Sequence, residues 1–182
     1  MRMSVRVSMK RKYWVLLTVL FWILLSDQWT KHIVQQRLFL HRTVEVIPGF
    51  FNLVHVRNRG GAFGIFGGQG DGFSSFLFVA VSLIAIGTIL FLFARLKEEE
   101  TSLSLSFSLV LGGALGNLID RLHYGAVIDF LDFHLLAHHW PAFNIADSAI
   151  CVGIGLMALE LFIRDNRRKT PNSSRRITNK PG

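Results

Sequence analysis

The chain has 182 residues, 51% of them hydrophobic, and a formal net charge of +8. That length suits one compact domain, while the positive mean hydropathy excludes an ordinary soluble globule and leaves a membrane protein. The positive charge gathers mainly at the two ends, so it reads as a topology signal and an attraction to anionic membrane phospholipid, and it argues against nucleic-acid binding.

Residues 1–12 form a basic tail with Arg2, Arg6, Lys10, Arg11 and Lys12. The apolar block that follows, at about 13–29, resembles the core of a cleaved signal peptide. It runs, however, into Ser26-Asp27-Gln28-Trp29-Thr30-Lys31 without a small-x-small cleavage site, so it is predicted to stay as a membrane helix. Three further blocks, at about 73–94, 103–121 and 142–163, approach or reach the roughly 20 residues a spanning helix needs. A second basic tail, 164–182, holds Arg164, Arg167, Arg168, Lys169, Arg175, Arg176 and Lys180. Basic residues mark the cytoplasmic side, so both termini are predicted there, with outward loops at about 32–72 and 122–141. The predicted fold class is a membrane all-α protein with a small β element: four transmembrane helices and an outward-facing β-hairpin or cradle.

In the first outward loop, Thr43-Val-Glu-Val-Ile47 and Phe51-Asn-Leu-Val-His-Val-Arg57 alternate and are rich in β-branched and aromatic residues. Pro48-Gly49 between them suits the centre of a type II turn, so a hairpin is predicted. Asn58-Arg59-Gly60-Gly61-Ala62-Phe63-Gly64 then strips side chains from the backbone, which permits close approach by another chain or simply a flexible lead into the next span. The third block opens with Leu103-Ser-Leu-Ser-Leu-Ser-Phe-Ser108, a strand-like alternation. An isolated strand in lipid leaves its backbone unpaired, so a helix is predicted there. Gly112 and Gly116, four apart, predict close helix packing. The lone cysteine, Cys151, has no His or Lys within a helical turn to make a thiolate, and is predicted to pack as a small residue.

The polar residues carry the chemistry. Carboxylates at Asp129 and Asp147 flank apolar segments, where an unsatisfied charge costs roughly 2.5 to 3.5 kcal/mol on insertion scales. Two carboxylates that share one proton can activate water and protonate a peptide carbonyl, the chemistry of an aspartic protease. Asn117, Asp120 and Arg121 share one helical face, as do Asn144 and Asp147, and Asp27 and Lys31 form an i, i+4 pair in the favourable order. The structural alternatives are an interfacial ion pair at Asp27 and Lys31, and a support network in which Arg121 counters Asp120. Asp132 reads as a solvated loop acid. On a helix, His134 and His138 would have metal-ligand spacing, but with no HExxH the chain needs neither metal nor cofactor.

Five segments together resemble the bacterial lipoprotein signal peptidases, or signal peptidase II: Asp27-Gln-Trp-Thr-Lys31, Asn58-Arg-Gly-Gly-Ala-Phe63, Gly112-Gly-Ala-Leu-Gly-Asn-Leu-Ile-Asp-Arg121, Val127-Ile-Asp-Phe130 and Phe143-Asn-Ile-Ala-Asp-Ser148. The resemblance covers all four apolar blocks in order. It implies an intramembrane aspartic endopeptidase of the bacterial inner membrane, with Asp129 and Asp147 catalytic. Support and substrate binding are implied for Asp27, Lys31, Asn58, Gly60, Asn117, Asp120, Arg121 and Asn144. It also implies a substrate, the diacylglyceryl-modified prolipoprotein, cut on the amino side of the lipidated cysteine; an inhibitor, globomycin; and action as a monomer. One departure is Gly61, where the family usually has alanine. The rival from another class is a proton-coupled transporter, which would want acids spread through the membrane depth and an internal repeat. Here the acids cluster near one face, and Glu160 at the other end has Arg164 one turn away.

Overall fold

A computed structural model describes residues 10–60, 71–135 and 138–169; most of each terminal tail and the glycine-rich stretch that includes Gly61 lie outside the described residues. The elements in order are α1 (Arg11–Arg37), β1 (Thr43–Ile47), β2 (Phe51–Asn58), α2 (Asp71–Ala94), α3 (Thr101–Tyr124), β3 (Val127–Leu135), β4 (His138–His139) and α4 (Ile145–Lys169). Among the described residues, three stretches are helical, long and apolar enough to cross a membrane: Phe76–Ala94, Thr101–Tyr124 and Ile145–Arg167. α1 has 27 residues, but Asp27, Gln28, Lys31 and His32 lower the hydropathy of its second half.

α3 is the central helix, with α1, α2 and α4 packed around it. Its small residues make that possible. A Cβ on Gly113 would run into the Ala146 carbonyl oxygen of α4, one on Gly116 would lie 2.8 Å from Asp27 Oδ2, and one on Gly112 would press Ile23 at 3.1 Å. The serine alternation at the start of α3 is helical, as lipid demands. The hydroxyls turn back onto the helix, Ser108 Oγ donating to Ser104 O at 2.6 Å and Ser106 Oγ to Ser102 O at 3.0 Å. At the N-terminus of α1, Lys12 Nζ donates to the Ala94 and Leu96 carbonyls, so a cation closes the C-terminus of α2. Arg164 bonds both Glu160 and Glu100.

The close approach of α3 and α4 gives a test. Gly113→Ala is expected to destabilise the fold by about 1–3 kcal/mol, because the obstacle is backbone and cannot swing aside. Gly155→Ala on α4, where nothing lies within 4 Å of the added Cβ, is the matched control. Equal unfolding curves for the two variants in the same detergent would contradict this packing.

β1 and β2 form the predicted antiparallel hairpin, with Phe50 N donating to Ile47 O at 3.0 Å and Gly49 at φ 71°, as the third residue of a type II turn requires. The hairpin is only half of the sheet. Residues 127–135, expected to lie in a loop, form β3, which pairs antiparallel with β2 in a four-stranded order β1-β2-β3-β4. Val127-Ile-Asp-Phe-Leu-Asp-Phe is rich in β-branched and aromatic residues, but its pairing partner lies some 70 residues earlier, beyond any local signal.

This strand corrects two expectations, and α4 a third. Asp132 is no solvated acid: it is 7% exposed and held by Asn52 Nδ2 at 2.9 Å and His139 Nδ1 at 3.0 Å. Burial alone would raise its carboxyl, but the hydrogen bonds from Asn52 and His139 and the nearby imidazoles of His139 and His134 hold it below the usual carboxylate range. His134 lies opposite His139 across the β3–β4 ladder with the rings stacked, so His134 and His138 are not one helical turn apart. Cys151, finally, is exposed on α4, whose inward face carries Ala146, Ala149 and Gly153 instead.

Candidate active site

The site forms where the C-terminal parts of α1 and α3, the first residues of β3 and the N-terminus of α4 meet. Asn144 precedes the first turn of α4 and caps it: its Oδ1 accepts the Asp147 backbone N–H at 2.9 Å, while Asp147 Oδ2 accepts the Asn144 backbone N–H at 3.2 Å. This reciprocal box satisfies a donor at the helix start and fixes the Asp147 rotamer where the helix dipole favours a negative charge. The other oxygen of Asp147 accepts from Asn117 Nδ2 of α3 at 2.7 Å.

Asp129, the third residue of β3, is 2% exposed. Its carboxylate accepts from Asn144 Nδ2 at 2.7 Å and from Asn58 Nδ2, at the end of β2, at 3.0 Å. The buried Asn144 therefore links the two aspartates: its amide nitrogen serves Asp129 and its amide oxygen holds the backbone of Asp147. Desolvation pushes the Asp129 carboxyl up to about 6; the Asn58 hydrogen bond opposes this, the Asp147 charge adds to it, and Asn144 and Lys31 oppose it.

Behind the pair lies a buried ion cluster. Lys31 Nζ is 2.8 Å from both Asp27 Oδ2 and Asp120 Oδ2, and it donates to Asn117 Oδ1 at 3.2 Å. Asp27 Oδ1 accepts the Ala146 N–H of α4 at 2.9 Å, and Asp120 Oδ2 accepts the Ile128 N–H of β3 at 3.0 Å. One ammonium thus joins α1 to α3, and its two carboxylates grip the backbones beside Asp147 and Asp129. Asp27 and Lys31 are not an interfacial pair, since they are 0% and 1% exposed.

Arg121 is also placed differently from the expectation. Lys31 counters Asp120, and Arg121 reaches toward α2, its Nη1 donating to Ser82 Oγ at 3.3 Å. Gly60 donates its N–H to Asn58 Oδ1 at 2.9 Å, which orients the amide that meets Asp129. Sequence reasoning passed over Gln28, whose Nε2 donates to Asp120 Oδ1 at 3.0 Å, and its place between Asp27 and Lys31 was the available signal. It also passed over Ser82, a serine inside the apolar stretch of α2 that carried no signal.

Two carboxylates linked through one asparagine, one of them raised to about 6, are equipped to give and take a proton together. The family model described as Signal peptidase (SPase) II matches residues 19–163. The chain belongs to the signal peptidase II family. Among similar proteins, the lipoprotein signal peptidase of Geobacter metallireducens is 42% identical, over 91% of this chain and all of its own length. That of Desulforapulum autotrophicum is 48% identical over 72% of this chain and 82% of its own, and that of Shewanella sediminis 45% over 89% of each. Two solved structures described as bacterial membrane enzymes superimpose with TM-scores of 0.76 and 0.74, at 30% and 31% identity; they cover 89% and 84% of this chain, and 95% of each of theirs. Membership makes this signal peptidase II an aspartic peptidase, and with its three apolar helices a multi-pass protein of the bacterial inner membrane.

The titration of Asp129 gives a signed prediction for the enzyme. A carboxyl raised from 3.8 to about 6 in the fold stabilises it below the unfolded value and loses that contribution as pH rises through the folded one. Wild type is therefore expected to lose up to roughly 3 kcal/mol of stability relative to Asp129→Asn between about pH 4 and 6. A constant offset between the two unfolding midpoints across that range would show an ordinary carboxyl.

Proposed function

We propose that this chain removes signal peptides from diacylglyceryl-modified prolipoproteins, cutting on the amino side of the lipidated cysteine, with Asp129 and Asp147 as the catalytic pair. The observation that carries this reading is the Asn144 bridge, which holds a carboxyl raised to about 6 beside a second carboxylate. One aspartate, ionised, takes a proton from water as its oxygen bonds to the scissile carbonyl carbon. The other, protonated, gives its proton to the carbonyl oxygen. Collapse of the resulting gem-diol breaks the C–N bond: the leaving amine takes its proton from the aspartate that received water's, and one hydroxyl of the gem-diol gives its proton to the other aspartate, so the pair again holds one proton. The two titrations belong to the pair as a unit.

In this reading Asn58, Asn117 and Arg121 hold the substrate backbone and Gly60 belongs to the loop that covers the site, while Asn144 and the Asp27–Lys31–Asp120 cluster fix the frame. α1 is a fourth span, so the protease domain runs from about 13 to 163, both termini are cytoplasmic, and the sheet and the aspartates face the outer leaflet. The basic tails favour that orientation. The diacylglyceryl tails stay in the phospholipid between the helices, which gives a hydrophobic reason for selectivity; globomycin competes for the same place, and the monomer suffices. The proton-coupled transporter finds no support in the family.

The test is cleavage of a synthetic prolipoprotein by the purified chain in micelles. Cleavage of the lipidated form, with the lipidated cysteine as the new N-terminus, and inhibition by globomycin are expected. An intact lipidated substrate, or equal cleavage without the lipid, would sink the proposal.

A further inference from the structure

We propose that Phe78 and Ser82 of α2 are positioning residues of this peptidase, which together seat the Asn58–Gly60 turn and aim Arg121. The inference rests on the reading above, in which Asn58 and Arg121 serve the substrate.

Phe78 and Ser82 are four apart and so share one face of α2. Ser82 Oγ donates its one hydrogen to Phe78 O at 2.8 Å, which turns its lone pairs outward. Arg121 Nη1 meets those lone pairs at 3.3 Å. The hydroxyl is thus set as an acceptor, the role a guanidinium requires. The Phe78 ring lies under the same guanidinium, with Cζ 5.9 Å from its centroid.

The same ring touches the other arm of the site. A Cβ on Gly60 would stand 2.5 Å from Phe78 Cδ2 and Cε2, and Gly60 has φ 86°, so a glycine is needed there on both counts. The Gly60 N–H orients the Asn58 amide, and that amide donates to Asp129. One aromatic ring thus supports the turn that reaches Asp129 from β2 and the arginine that reaches out from α3. The Asp27–Lys31–Asp120 cluster does not touch either arm in this way, so α2 supplies what that frame lacks.

The test compares Ser82→Ala, Ser82→Thr and Phe78→Leu in the full chain, with KM and kcat measured on a lipidated prolipoprotein peptide. Ser82→Ala is expected to raise KM roughly tenfold with kcat little changed, the scale of one hydrogen bond to a charged group. Ser82→Thr, which keeps the hydroxyl, restores KM. In an Arg121→Gln background Ser82→Ala adds nothing, because it acts through that side chain. Phe78→Leu loosens the Asn58 turn and moves the alkaline limb of the kcat/KM profile upward by roughly half a pH unit, since the Asn58 bond favours the ionised Asp129 carboxyl and the pair works only while it holds its one proton. An unchanged KM for Ser82→Ala, or an effect that adds in full on Arg121→Gln, overturns the proposal while leaving the role of Arg121 intact. If Arg121→Gln itself binds substrate as wild type does, the substrate role of Arg121 falls, and this proposal with it. Should Ser82→Ala fail to fold, the Phe78→Leu pH profile decides, and an unmoved alkaline limb refutes the seat.

Discussion

Asp129→Asn and Asp147→Asn each lower kcat on a lipidated prolipoprotein by roughly 10²- to 10⁴-fold, the range for removing a positioned acid or base. Each variant keeps one acceptor oxygen, so one of the two donors at each position retains its partner and the other loses it, and unfolding midpoints are measured beside kcat to show that the variant is folded. Asp132→Asn is the control. It sits three residues along the same strand but is bound by Asn52 and His139, away from Asn144, and its kcat is expected to stay near that of wild type. A folded Asp129 or Asp147 variant that cuts at the wild-type rate would remove that residue from the chemistry. Loss of activity in all three would point to a damaged sheet instead.

The second large effect belongs to Lys31. Lys31→Met strands Asp27 and Asp120, both 0% exposed, without their shared cation. Breaking a buried ion cluster from one side costs about 3–5 kcal/mol, because the remaining charges stay desolvated. The damage spreads to the site, since those carboxylates also hold the Ala146 and Ile128 backbones. A triple variant, Asp27→Asn with Lys31→Met and Asp120→Asn, is expected to recover most of the stability, because neutral amides still accept those N–H groups. Unfolding of Lys31→Met at the wild-type midpoint would show that the cluster contributes little.

The parts of the fold that were legible in the sequence are those set by neighbours in the chain. The turn at Pro48-Gly49 and the alternation around it specified a hairpin, and it is there. Gly112 and Gly116 forecast a close helix contact, although Gly113 makes the tighter approach. β3 was lost because its partner strand is distant and its acids and histidines read as loop. The site divides in the same way. That Asp129, Asp147 and Asn144 belong together was visible in their short motifs, whereas the pairing of Lys31 with Asp120 was not: Arg121 is one residue from Asp120 and stood as its natural partner.

By itself, the sequence determined the apolar blocks, the hairpin, the family and the identity of the polar residues, because periodicity, turn chemistry and short motifs act over a few residues. Only the tertiary structure decided which charge meets which. Lys31 is 89 positions from Asp120, and Asn58 is 71 from Asp129, so their pairing depends on how α1, α3, β2 and β3 pack. Once buried there, each polar group takes the partner that satisfies it, since in a low-dielectric interior an unpaired one costs too much to persist.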